Sequence, residues 1–150
     1  ATSGKLFAAG QAGERFCVRN SGAQVVVEGC GSNGCEYMTG GTSVILGSVG
    51  ENFGAGMSGG IAYVYDRDGL FDKRANEETI IWQNVVMPYY QNQLKSLIEE
   101  HVAETGSAHG KQLLADWQTE LSYFKQVVPK EMLTRLEQPV NEEQANKISA

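Results

Sequence analysis

Residues 22–40 read GAQVVVEGCGSNGCEYMTG, and this pattern recurs every 19 residues on both sides. The copy before it is SGKLFAAGQAGERFCVRNS (3–21), the copy after it is GTSVILGSVGENFGAGMSG (41–59), and a fourth opens at residue 60 with GIAYVYDRDGLF. Glycine stands at the same position in three copies, as Gly22, Gly41 and Gly60. A fixed period near 20 residues, with strand-forming residues in register, is typical of a solenoid that adds one coil per repeat.

The apolar run in each copy predicts one β-strand. Side chains alternate across a strand, so two sets of residues are expected on opposite faces of the stacked strands. One face should hold the set Phe7, Val26, Ile45 and Val64. The other should hold the residues on either side of these, which include Leu6, Val25, Val44 and Tyr63. Because both sets are apolar, one face should fill the coil interior and the other should be covered by C-terminal helices or a neighbouring domain.

A second strand is expected in each coil, near residues 16–19, 35–38 and 54–57. Together the strands predict a mainly β fold, a right-handed parallel β-helix with 19-residue coils. Stacked coils lie about 4.8 Å apart, so three and a half coils span only about 15 Å. This short span, with an open strand edge near Ser3, predicts the C-terminal part of a longer solenoid.

Helices are expected after the coils. Pro88 and the following YYQNQLKSLIEEHVAET (89–105) have helical apolar spacing, with the proline near the helix start. The sequence TGS (105–107) should break this helix, and a second should cover roughly 109–127, ended by Pro129 with a last turn within 130–136. We therefore predict coils over 1–72, a helical extension packed on them over 73–136, and a flexible tail over 137–150.

Charge and composition exclude some classes of function. The net charge is −6, whereas a nucleic-acid-binding surface needs a basic footprint. No apolar run approaches the roughly 18 residues of a membrane span. Three cysteines, an odd number without paired spacing, fit a reducing compartment, and we predict a cytoplasmic location.

The cysteines are the first candidates for chemistry. Cys17 and Cys35 differ by one position within their copies, so strand alternation would point them to opposite faces, and Cys30 lies at a corner. A metal site needs its ligands within about 2.3 Å of one ion. We interpret all three as small buried thiols, with a redox or partner-facing role as the alternative.

Two loop motifs resemble ligand sites only in part. Residues 54–60, GAGMSGG, are glycine-rich but lead into a strand, whereas a phosphate-binding loop opens a helix. Residues 66–69, DRDG, resemble the opening of a calcium loop but lack its later glutamate. We interpret residues 66–69 as a turn that closes the last coil.

The remaining polar residues also favour structural roles. His101 and His109 are eight residues apart rather than four, which favours helix-end or core-edge positions over a metal pair. Asn33 should stack over Asn52 in an internal amide ladder. We expect no catalytic, cofactor-binding or metal-binding residue in this chain.

Several short sequence motifs resemble the C-terminal GXGXG β-helix domain of the glutamate synthase large (α) subunit. They are AGERF (12–16), VRNSGA (18–23), VEG (27–29), GCEYMTGG (34–41) and NFGAGMSGGIAYV (52–64). The helical half adds LIEEH (97–101) and TGS (105–107), so the resemblance spans about residues 4–117.

The resemblance implies a structural role within an oxidoreductase. Such an enzyme makes two glutamates from glutamine and 2-oxoglutarate, with FMN, a 3Fe-4S cluster and reductant from NADPH through a small subunit, or from ferredoxin. The domain would hold the amidotransferase and FMN synthase domains in position. It would bind no cofactor itself, because the family's catalytic and ligand motifs do not occur in this chain. Cys17, Cys30 and Cys35 have no cluster-binding spacing.

Three other interpretations stay open. The chain could be a stand-alone β-helix that binds or assembles end to end, and its open edge could support a homodimer. It could resemble the β-helix subunit of formylmethanofuran dehydrogenase, which shares the glycine pattern. A β-helix carbohydrate lyase is favoured least, because no column of carboxylates runs along the coils.

Overall fold

A computed structural model describes residues 4–10, 17, 20–31 and 34–130 of the chain. The strands are β1 (Lys5–Phe7), β2 (Ser21–Val27), β3 (Thr39–Ile45), β4 (Gly59–Tyr65), β5 (Ile80–Asn84) and β6 (Phe124–Pro129). The helices are α1 (Phe71–Arg74), α2 (Pro88–Thr105), α3 (Ala108–Ala115) and α4 (Trp117–Leu121). All six strands join one sheet in the order β1-β2-β3-β4-β6-β5. The fold is therefore mainly β with C-terminal helices, as predicted.

The first four strands come from the four sequence copies and run parallel to one another. β1 pairs with β2 in the predicted 19-residue register, since Phe7 lies opposite Val26. Between β2 and β3 the register changes, and Val26 lies opposite Val44 instead of Ile45. A bulge after Ser21 causes the change. Ser21 pairs with Gly40 and the next pair is Gln24 with Thr42, so β2 has one residue more than β3 between these two pairs.

The changed register corrects the predicted faces of the sheet. Phe7 and Val26 share a face with Val44 and Tyr63, whereas Ile45 and Val64 lie on the opposite face. The prediction that Phe7, Val26, Ile45 and Val64 line one face is therefore wrong beyond β2. A one-residue slip moves every later side chain to the other side, and a fixed repeat cannot show where the slip occurs.

Each face of the sheet packs against its own cover. The face with Val26, Val44 and Tyr63 packs against α2, α3 and α4, which bury Leu94, Ile98, Leu113, Trp117 and Leu121 in the same core. The other face packs against residues of the connecting segments, among them Cys35, Met38, Phe53, Met57 and Phe71. Both faces are thus covered, as the apolar strands predicted.

The predicted second strand of each coil is wrong where the structure describes it. Residues 35–38 form a turn, and residues 54–57 include turn residues rather than a strand. Backbone bonds still join these turns from one coil to the next: Gly54 N donates to Gly34 O at 2.9 Å, and Tyr37 N donates to Ala55 O at 2.9 Å. The sheet is mixed and open, so a closed right-handed parallel β-helix stays a prediction.

The C-terminal half contains two strands that the apolar spacing did not predict. α2 begins at Pro88 and ends before Gly106, which adopts φ 68, as predicted. The second helix is shorter than expected, however, because residues 124–129 form β6 antiparallel to β4. β5 covers the far side of β6. Residues 131–136, where a last turn was predicted, lie outside the described part, and the domain boundaries at 72 and 136 stay predictions.

Candidate functional site

The three cysteines converge, which corrects the prediction that Cys17 and Cys35 point to opposite faces. Cys17 packs against the buried cluster that contains Cys35, and Cys35 Sγ donates to Ser43 Oγ at 3.4 Å. Both cysteines lie in turns with positive φ, 57 and 58, so strand alternation does not apply to them. Cys30 packs beside Gly34 on the same side of the sheet.

The environment makes these thiols chemically unequal. The nearby polar hydrogens of Cys35 and Ser43 favour the Cys17 thiolate and lower the pKa of Cys17 below its usual value, although burial opposes this shift. The proximity of Cys17, reinforced by burial, raises the pKa of Cys35. Burial raises the pKa of Cys30 to about 12. Cys17 is therefore the thiol of this group that ionises most readily.

All three thiols are free of disulfides, and Cys35 is fully buried whereas Cys17 and Cys30 are partly exposed. Among the described residues, no group of three or more His, Cys, Asp or Glu side chains could hold a metal ion. The interpretation of Cys35 as a buried thiol is confirmed. For Cys17 and Cys30, partial exposure keeps a chemical role open.

A second polar group joins the sheet to the helices. The Ser107 hydroxyl donates to Glu28 Oε1 and accepts a bond from Gly110 N at 3.0 Å, which caps the start of α3. His101 Nε2 lies 3.5 Å from the same carboxylate oxygen. The His101 ring is fully buried beside Phe7, with ring centroids 6.2 Å apart. This group fixes the turn between α2 and α3 to the end of β2.

We expect Glu28→Ala to destabilise the fold by about 1–3 kcal/mol, because it leaves the Ser107 hydroxyl without its acceptor and removes the carboxylate beside the buried His101 ring. Glu100→Ala is the matched control, since Glu100 only pairs with Lys5 at 3.0 Å on the surface and should cost about 0–1 kcal/mol. Urea unfolding monitored by circular dichroism measures both. Equal losses would show that the Glu28 group does not support the fold.

The two histidines have different neighbours in the structure, His109 beside Leu46 and His101 beside Glu28. His109 Nε2 is 2.5 Å from the carbonyl oxygen of Leu46, at the end of α3 nearest the sheet. His101 lies deeper than the predicted core edge, because it is completely buried. Asn33, half of the predicted amide ladder, lies outside the described residues. Asn52 accepts a bond from Asn76 Nδ2 at 3.0 Å, and the ladder stays a prediction.

The predicted turn at residues 66–69 is confirmed. Asp66 Oδ1 accepts a bond from Phe71 N, and Asp68 Oδ1 accepts one from Leu70 N, both at 3.1 Å. Each carboxylate is used in the local backbone geometry, as in an Asx turn.

A shallow hollow beside this turn carries a cluster that sequence reasoning missed. The Tyr65 hydroxyl donates to Glu120 Oε2, and Arg67 Nη1 lies 3.4 Å from Glu120 Oε1. Burial and the bond to Glu120 raise the pKa of Tyr65. His109 also lines the hollow. The Arg67 guanidinium stacks 4.9 Å from the Tyr123 ring, so its charge is already paired twice.

Among the described residues, four large apolar side chains are exposed: Leu6, Tyr37, Val86 and Tyr89. Leu6 lies on the open edge strand, and Val86 and Tyr89 lie on either side of the start of α2. None of the helices in the described part of the chain is long and apolar enough to cross a membrane.

The parallel strands built from glycine-spaced copies define the class of protein. The GXGXG motif family model matches residues 1–130, and the chain belongs to that family.

The curated relatives are glutamate synthases. The chain is 65% identical over 141 residues to the "Glutamate synthase [NADPH] large chain" of Azospirillum brasilense, covering 94% of this chain and 9% of that protein. It is 54% identical over 129 residues to the chloroplastic "Ferredoxin-dependent glutamate synthase" of Spinacia oleracea, covering 86% and 8%. It is 48% identical to the NADPH large chain of Bacillus subtilis, covering 92% and 9%. The chain thus spans about a tenth of the length of these relatives, and its resemblance to a domain of the large chain is confirmed.

Proposed function

We propose that this chain is a domain of a glutamate synthase large chain, which converts glutamine, 2-oxoglutarate and reductant into two glutamates. The observation that carries the proposal is the 65% identity over 94% of the chain to a protein bearing that name. Relatives named for NADPH and for ferredoxin both match, so the proposal covers either electron donor. NADPH would act through a separate small subunit.

We further propose that the domain positions the amidotransferase and FMN synthase domains and supplies no catalytic residue. Three carboxylates of the described part support this, because each is used within the fold. Glu28 is bonded to Ser107, and Glu120 to Tyr65. Asp66 is bonded to the backbone of Phe71. A rigid sheet covered on both faces suits the task of holding reacting domains at a fixed separation.

The open edge of the sheet supports a longer β-helix in the parent protein. Among the described strands β1 pairs only with β2, and its Leu6 side chain is 57% exposed. An unpaired parallel edge is a template for a further strand. We propose that preceding coils of the same polypeptide pair with β1, with a second copy of the chain as the alternative occupant of this edge.

The cysteines of the described residues do not fit the 3Fe-4S cluster of the proposed parent. A cluster needs several thiolates aimed at it. Here Cys35 is fully buried and bonded to Ser43, and the pKa of Cys30 is raised to about 12. We therefore assign the cluster to another domain of the parent, and from the family resemblance we propose the same for FMN. Free thiols support a reducing compartment, and we propose the cytoplasm.

The identity of the parent can be tested by immunoblotting a source-cell extract with an antibody to residues 34–41. We expect a band many times larger than 16.3 kDa, because the chain covers 9% of its Azospirillum relative. A native band near 16 kDa would contradict the proposal and favour a free-standing β protein.

The absence of catalytic residues can be tested in the full-length enzyme with His109→Ala and Cys30→Ser. Both variants should stay within about twofold of the parent rate of glutamate formation, because neither side chain would contact a substrate. FMN and iron content, measured on the same preparations, is the control for assembly. A loss of about a hundredfold in a folded variant that retains both cofactors would indicate acid–base catalysis and contradict the proposal.

A further inference from the structure

Cys17 and Cys35 occupy the same place in two consecutive coils. Each begins a turn in which its carbonyl oxygen accepts a bond from the residue three positions later: Asn20 N to Cys17 O, and Met38 N to Cys35 O, both at 3.1 Å. Their φ angles, 57 and 58, are almost identical. In the next coil Gly54 occupies the corresponding position. Its φ is 78, and its carbonyl oxygen accepts a bond from Met57 N at 3.1 Å. The two cysteines are therefore adjacent members of one column.

The column predicts a separation of the two cysteines within the range that a disulfide requires. The coils are bonded directly beside the turns, where Thr39 N donates to Asn20 O at 2.8 Å. Hydrogen-bonded neighbouring chains lie about 4.8 Å apart. Disulfides join Cα atoms that are about 4.4–6.8 Å apart. Because the two turns share one conformation, their Cβ atoms are expected to point the same way, and Cys17 packs against the cluster that contains Cys35.

Access to solvent distinguishes the two sulfur atoms. Cys17 is partly exposed, whereas Cys35 is completely buried against Ser43 and Met38. A small oxidant can therefore reach Cys17 first, with Cys35 behind it as an internal partner. The lowered pKa of Cys17 and the raised pKa of Cys35 agree with this order, because a thiolate is the form that attacks an oxidant.

We propose that Cys17 and Cys35 form an oxidisable dithiol that a hydroperoxide converts into a disulfide between the first two coils. In the first step the Cys17 thiolate attacks hydrogen peroxide, the O–O bond breaks, and with one proton taken up the products are Cys17 sulfenic acid and water. In the second step the sulfur of Cys35 attacks the Cys17 sulfur and loses its proton. The S–O bond breaks and a second water leaves. Two thiols are oxidised by two electrons, and one peroxide is reduced.

Cys30 is the internal control for this reaction. It lies on the same side of the sheet, but its Sγ lies against Gly34 at the corner of the coil, and its backbone N donates to Ser48 O at 3.1 Å. It occupies a different position in its coil from the column of Cys17 and Cys35. The proposed disulfide therefore leaves Cys30 reduced.

The test treats the intact protein with hydrogen peroxide, blocks the remaining thiols and maps the tryptic peptides by mass spectrometry. Cys17 lies in FCVR (16–19), and Cys35 lies in the peptide 20–67, which also contains Cys30. The Cys30→Ser variant removes this ambiguity. We expect FCVR linked to 20–67 in the parent and in Cys30→Ser, no link in Cys35→Ser, and full reversal by dithiothreitol.

Other outcomes would overturn the proposal. A link that persists in Cys35→Ser but disappears in Cys30→Ser would assign the partner to Cys30. A native, peroxide-treated parent in which FCVR is unlinked, with Cys17 still reduced or oxidised only to sulfinic acid, would show that no disulfide forms. The parent measurement needs no substitution, so the proposal is testable even where a serine variant folds poorly.

Discussion

Ile45→Asp is expected to abolish folding of the coils. Ile45 is 0% exposed and lies in β3 opposite Val27 and Val64, within a core that includes Phe53. None of these neighbours can pair with a carboxylate, and an unpaired buried charge costs several kcal/mol even after relaxation. A domain of this size has a total stability of only about 5–15 kcal/mol.

Ile45→Val is the matched control, because it keeps the site apolar and should cost about 0.5–1.5 kcal/mol. Circular dichroism and urea unfolding of both variants measure the contrast. Val26→Asp, on the opposite face, should behave like Ile45→Asp, because Val26 is also 0% exposed. A cooperative unfolding transition in either aspartate variant, close to that of the parent, would contradict the buried position of that strand.

Gly41→Ala should cause the second large loss of stability. Gly41 has φ 85, and a Cβ atom there would lie 2.4 Å from the carbonyl oxygen of Ala23 and 2.9 Å from Asn20 Nδ2. The first contact is with backbone of the neighbouring strand, which cannot move without breaking the sheet. The Asn20 side chain is equally fixed, since it donates to Ala23 O and accepts from Ala23 N, both at 3.0 Å.

Gly69→Ala separates backbone strain from this close contact. Gly69 has a similar φ of 73, but a Cβ atom there would meet nothing within 4 Å. It should cost only the strain of a left-handed residue, about 1–2 kcal/mol. We expect Gly41→Ala to lose clearly more than this in thermal and urea unfolding. Similar losses at both positions would show that the coils do not approach each other as closely as the structure indicates.

The repeat predicted the parallel strands, but it could not locate the irregularities. Four copies predicted four stacked strands and two buried faces, and the structure has both. The bulge after Ser21 is invisible in the sequence, because it depends on how two strands pair and not on the composition of either. The segment 124–129 shows why β6 was missed. Its aromatic Phe124 continues the apolar stripe of the preceding helix, and only pairing with β4 decides between the two structures.

In the candidate site, too, the spacing of residues in the sequence could not predict which side chains come together. Strand alternation separated Cys17 from Cys35, whereas stacked turns bring them together. A signal was present, since Gly54 occupies the third place of the column and glycine often marks a residue with positive φ. The bonds of Glu28 to Ser107 and of Tyr65 to Glu120 join residues 79 and 55 positions apart. No spacing rule connects residues over such distances.

The position of β6 between β4 and β5 has a consequence for synthesis on the ribosome. β5 leaves the ribosome before β6, yet β6 is its neighbour in the sheet. The outer edge of β4 therefore stays uncovered while some sixty further residues are made. An uncovered strand edge is a site of aggregation. A nascent chain that stalls before residue 124 would expose this edge, so the edge of β4 is protected only when β6 arrives.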